Sequence, residues 1–227
     1  MSTNSKEYLR ASFKEVGKRY GYESVDAEFA AFKDFKVSWE RSFRTASFHV
    51  SDYLSDAPKA VFDSLAESMF SKIMGVNKLP YTEEMKEWTL SDRFITTKQP
   101  VYMRRSKNLS GSSVGFTKDL EESLFRLKTM GLVDMDAAPK LSWTRVMLDS
   151  KIGFCSPVMN VIAVSCILDV DDVPDYVVDF VVYREYLILE EGRRDFGLEP
   201  KGTYRDVEVR FPRYEEVIRW LSRANLR

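Results

Sequence analysis

At 227 residues, 44% hydrophobic and 30% charged, the chain has the composition of a globular protein with one large domain or two small ones. Its 34 Lys and Arg are balanced by 35 Asp and Glu, which excludes a global basic field for nucleic acid. No run reaches the ~18 apolar residues of a membrane span, Met1–Glu7 lacks the apolar core of a secretory signal, and two cysteines make no disulfide framework, so a cytoplasmic, reducing compartment is expected.

Residues 1–25 are polar, with a short helix near Lys6–Val16, and residues 26–34 add another helical turn. The stretch 35–41 alternates apolar and charged residues, the period of a half-buried strand, and Phe48-His49-Val50 repeats it, so the two predict a hairpin. Ala57-Pro58 opens a helix that Asp56 is placed to cap. Its apolar positions run from Val61 to Ile73 at helical spacing, and Gly75 ends it. The middle region 76–117 is less regular, with short helices over Glu83–Leu90 and Ser91–Thr97 and a polar loop over Ser106–Ser113. Asp119–Met130 reads as a helix closed by Gly131. Leu141–Val146, Ile152–Cys155 and Asn160–Ser165 read as strands, the last two joined by the turn at Ser156–Met159. Asp175–Glu191 is a long helix and Arg213–Arg223 a final one. Strands and helices do not alternate as βαβ units would, so the class is α+β, with helices on a small, mostly antiparallel sheet.

Chemistry-bearing residues are sparse. The only histidine, His49, lies on a strand between Phe48 and Val50 and is expected to face away from the core. Cys155 and Cys166 have no Cys or His neighbours of zinc-site spacing and read as small core residues. Asp169, Asp171, Asp172 and Asp175 lack the spacing of a calcium loop; Asp172 or Asp175 suits a cap and a dipole-compensating charge at the start of the long helix. Arg104, Arg105 and Lys107, beside Tyr102, are the candidates for a phosphate or single-stranded nucleic-acid contact; a solvated loop is the plainer reading.

Within the long helix, Tyr183-Arg184-Glu185-Tyr186-Leu187-Ile188 has the frame of His-Glu-x-x-His, in which two histidines one turn apart hold zinc and the Glu between them is general base. Arg184 stands at the first ligand position, Glu185 at the base position and Ile188 at the second ligand position. With the upstream Ile152–Ser165 hairpin, the Leu168–Tyr176 loop and the downstream runs Tyr204–Glu208 and Phe211–Glu216, this order resembles the SprT-like zinc metallopeptidases, in particular archaeal members with an N-terminal extension. Phe48–Pro58, Val101–Ser106 and Asn108–Gly111 extend the likeness to about residues 35–222. The resemblance implies a single zincin-like α+β domain over 26–227, with a small sheet backed by the former active-site helix.

It also implies a lost metal. Neither Arg nor Ile has a lone pair to give, and no His occurs in residues 190–210, where the family carries its third ligand. The expectation is therefore a pseudoenzyme without zinc or other cofactor, which works by binding a protein or peptide. Arg184 then fills the former site as a fixed cation paired with Glu185, Glu191 or Glu208. Two alternatives stand beside it. One is a metal-dependent hydrolase that uses Glu185 with unrecognised ligands. The other is a DNA-associated protein, by analogy with the family.

Overall fold

A computed structural model describes residues 3–75, 82–134, 138–148, 151–194 and 202–226. Residues 76–81 of the irregular middle region and 195–201 of the histidine-free stretch lie outside the described residues. The class is α+β, and the chain packs as two compact units, Met1–Lys98 and Gln99–Arg227. The strands are shared between two three-stranded sheets, each with one parallel and one antiparallel pair.

The first unit begins with α1 (Thr3–Arg19) and continues through β1 (Ser24–Ala30), β2 (Val37–Arg41), β3 (Thr45–Ser51), α2 (Lys59–Met74) and α3 (Glu83–Leu90). No helical turn forms over 26–34; residues 26–30 belong instead to strand β1. Val25, Ala27 and Phe29 alternate with Ser24, Asp26 and Glu28, a period of two that suits a strand pairing in parallel with β3. The hairpin of β2 and β3 forms as expected. The polar N-terminal segment hides a narrow apolar stripe: Leu9, Phe13 and Val16 of α1 are fully buried. There Phe13, Phe48 and Phe70 meet with centroids 4.7–6.4 Å apart. Gly17 permits that approach, because a Cβ there would collide with Val25 and Phe70. Asp56 does not cap α2; it pairs with Lys98 at 2.5 Å, and Pro58 stands at the N-cap. Gly75 ends α2 in the left-handed conformation, as its position implied.

The boundary between the units falls inside α4 (Asp92–Arg105), which runs on past Pro100. A proline removes one helical donor, and the burial of Tyr102 beyond it keeps the helix going. In the second unit follow α5 (Leu120–Thr129), β4 (Lys140–Trp143), β5 (Gly153–Ser156), β6 (Val161–Val164), α6 (Asp175–Arg194), α7 (Arg205–Glu208) and α8 (Tyr214–Arg223). β6 is central, antiparallel to β5 and parallel to β4. Helix α6 lies on β5 and β6 and against α5, and its apolar side chains dominate the core. Valine is a modest helix former, so Val177, Val178, Val181 and Val182 are helical because their burial outweighs propensity. Asp175 in the first turn and Arg193 and Arg194 in the last oppose the helix dipole.

Candidate functional site

The centre of interest is the middle of α6, where the His-Glu-x-x-His frame falls. Tyr183 and Glu185 are buried, while Arg184 and Ile188 are half-buried. The Arg184 side chain is 19% exposed and that of Glu185 5%, and Arg184 Nη2 donates to Glu185 Oε1 at 3.3 Å. The guanidinium carbon also lies 6.0 Å from the Phe180 ring centroid.

Strand β5 faces the same turn. A Cβ at Gly153 would come within 3.0 Å of Glu185 Cγ and of Val181, so the glycine makes the space in which the carboxylate side chain lies. That space is dry. Burial pushes the Glu185 carboxyl above the ordinary glutamate range, and the Arg184 charge only partly opposes the shift. Burial and the neighbouring Glu185 charge push the Cys155 thiol strongly up, which favours the neutral thiol over the thiolate. Cys166 is likewise free and half-buried.

The third side of the site is α7. Tyr183 donates its hydroxyl to Val207 O at 3.2 Å, which brings α7 against α6. Glu208 then lies within electrostatic reach of Arg184; its own burial raises its carboxyl, and Arg184 and Arg205 pull it down. Of the three carboxylates named from sequence, Glu185 bonds Arg184 directly and Glu208 faces it at longer range. Glu191 is engaged by Thr203, whose backbone N–H donates at 3.1 Å and whose hydroxyl donates as well.

Zinc takes three or four Cys, His or carboxylate ligands. At this turn Arg184 and Ile188 offer no lone pair, and the Glu185 carboxylate is bonded to a guanidinium. Among the described residues no three His, Cys, Asp or Glu side chains converge on one point. The residues present do not fit the metal that the family resemblance implies.

The other candidates lie elsewhere. His49 sits on the outer face of β3, with Nδ1 3.0 Å from Glu28 Oε1. Arg104 and Lys107 are exposed and Arg105 is half-buried, but the Tyr102 ring is buried and offers no face for a base to stack on. Asp171 and Asp172 are exposed, and Asp175 pairs with Lys118 at 2.8 Å, which holds its carboxyl low. Asp169 has a distinct role. Its carboxylate accepts the backbone N–H groups of Phe116, Thr117 and Lys118. Sequence reasoning missed this clamp, and also the buried pair of Asp179 with Arg126, whose Nη2 and Nε donate at 2.8 and 2.9 Å. A signal existed for the second: an Asp amid the valines of α6 needs a cation if it is buried.

Among the described residues no helix is long and apolar enough to cross a membrane. No family model matches the chain, and no curated protein or solved structure is significantly similar to it.

Proposed function

We propose that the chain is a non-catalytic protein, related in design to the SprT-like metallopeptidases, that acts by binding a protein partner. The observation that supports this reading is the Arg184–Glu185 pair. Hydrolysis by a metallopeptidase needs a metal to activate water and a carboxylate free to take its proton. Here the residue at the base position is buried beneath β5 with its oxygen bonded to a permanent cation. The same turn carries Ile188, whose hydrocarbon cannot replace a ligand. What the arrangement supplies instead is an ion pair whose carboxylate is buried in the core of the second unit.

Zinc analysis and a casein turnover assay on tag-free protein test the proposal together. The expected result is substoichiometric zinc and no turnover above a Glu185→Gln control. Stoichiometric zinc, or turnover abolished by Glu185→Gln, overturns it.

A further inference from the structure

The turn Gly115–Lys118 displays a phenylalanine in water. Phe116 is 95% exposed, and Val114 and Val170 beside it are exposed as well. Phe125 stands on the exposed face of α5, one turn on from Glu121 and Glu122. A phenyl ring carries one of the largest hydrophobic gains available to a side chain, and here that gain is not taken. Phe116 and Val114 on the turn and Val170 next to Asp169, whose carboxylate the turn binds, bring exposed apolar groups together, and such groups mark contact surfaces.

The turn is held in shape. Gly115 N–H donates to Lys118 O at 2.8 Å, and Val114 and Asp119 form a bridge beneath it. The Asp169 carboxylate takes the three N–H groups that the turn leaves pointing inward. A side chain at Gly115 would collide with that carboxylate, so the residue before Phe116 has to be glycine. An aromatic side chain on a turn fixed in this way loses little freedom on docking, the property of an interface anchor.

Charge selects the occupant. The clamp joins two short segments, 114–122 and 169–175. Together they hold seven carboxylates and one cation, Lys118, which is already paired with Asp175, while Arg126 further along α5 lies 3.8 Å from Glu122, so Asp171, Asp172 and Glu121 carry the charge of the rim. Anionic lipid and nucleic acid are repelled by such a rim, whereas lysine- and arginine-rich protein is attracted.

We propose that this acidic, apolar tip is a docking surface for a basic amphipathic segment of another protein. Phe116 inserts among the apolar side chains of that segment, and its cations face the rim around Asp171, Asp172 and Glu121. The proposal rests on the reading that the chain works by binding, but it needs nothing from Arg184 or Glu185.

The test is fluorescence anisotropy with the full chain and labelled probes. The probes are an amphipathic Lys/Leu peptide, its Glu/Leu counterpart and a single-stranded oligodeoxynucleotide. Vesicles of phosphatidylcholine with phosphatidylserine are tested by co-sedimentation, and self-association by analytical ultracentrifugation. The Lys/Leu peptide is expected to bind, and the other probes are not. Phe116→Ser, an exposed position whose variant is checked for native circular dichroism, is expected to weaken binding about tenfold or more. The charge reversals Asp171→Lys and Asp172→Lys are expected to weaken it further at low salt than at high salt. Failure of the Lys/Leu peptide to bind, or unchanged binding by Phe116→Ser, overturns the proposal. So does Phe116-dependent binding of vesicles, of the oligonucleotide or of a second copy of the chain. Zinc content and turnover do not depend on Phe116, so they report separately on the non-catalytic reading.

Discussion

At the scale of the residue, Arg184 and Glu185 are bound together by what each would lose alone. Glu185 is the more deeply buried, so removing its partner strands a carboxylate away from water. Arg184→Ala is expected to cost about 2–3 kcal/mol at pH 7.5, somewhat below the range for a fully buried pair because the guanidinium reaches solvent in part. A urea titration checks this, and a change within about 0.5 kcal/mol would show Arg184 to be merely solvated. The raised Glu185 carboxyl gives a second expectation. A fold that raises the pKa of an acid favours its protonated form. Stability from Glu185 is therefore present below the ordinary glutamate range and is lost as pH rises through the raised value. Glutamine imitates the protonated side chain at every pH. Going from pH 5 to pH 8, the Tm of Glu185→Gln should move upward relative to the unaltered protein; a gap that does not change with pH would contradict the burial argument.

At the scale of the element, α6 is held to α5 by Arg126 and Asp179, a pair whose two ends differ in exposure. The Asp179 side chain is 4% exposed and that of Arg126 33%. The Asp179 carboxylate takes three bonds from Arg126, and Ser123 Oγ accepts another from the same guanidinium. The two single substitutions should therefore be unequal. Arg126→Ala leaves a buried carboxylate without its cation and is expected to cost about 3–5 kcal/mol. Asp179→Asn leaves an arginine that can turn to water, and is expected to cost about 1–2 kcal/mol, the value of charge-assisted hydrogen bonds lost. Chemical denaturation of both variants decides. An equal or larger loss for Asp179→Asn would mean that the carboxylate, not the guanidinium, is the irreplaceable half.

At the scale of the whole molecule, a metal site is a property of several elements at once. Arg184→His with Ile188→His would put two imidazoles one turn apart on α6. A third donor has to come from another segment, and α7 brings Glu208 to the neighbourhood of residue 184, not a histidine. The double variant is expected to bind zinc at about micromolar affinity at best, without hydrolysing casein, since two ligands do not close the coordination sphere. Calorimetric titration with zinc checks it. Tight one-to-one binding with turnover would show that Glu208 or another carboxylate already completes the set.

Much of this molecule was legible in the order of its residues. Helices α2, α5, α6 and α8 and the β5–β6 hairpin follow from apolar spacing and from Gly75, Gly131 and the turn before Asn160, because these are local signals read within a few residues. That Arg184 and Ile188 cannot ligate a metal was likewise plain, since ligation is a matter of residue type. Strand β1 was misread as helical because only its pairing with β3, some twenty residues on, settles which period matters. The two buried ion pairs and the Asp169 clamp join residues from 1 to 53 positions apart, and only packing decides which carboxylate meets which donor. The sequence by itself determined the class, most of the elements and the absence of a metal-ligating side chain at positions 184 and 188. The tertiary structure alone decided where each buried charge found its partner, because burying a charge is costly and the nearest cation in space need not be near in the chain.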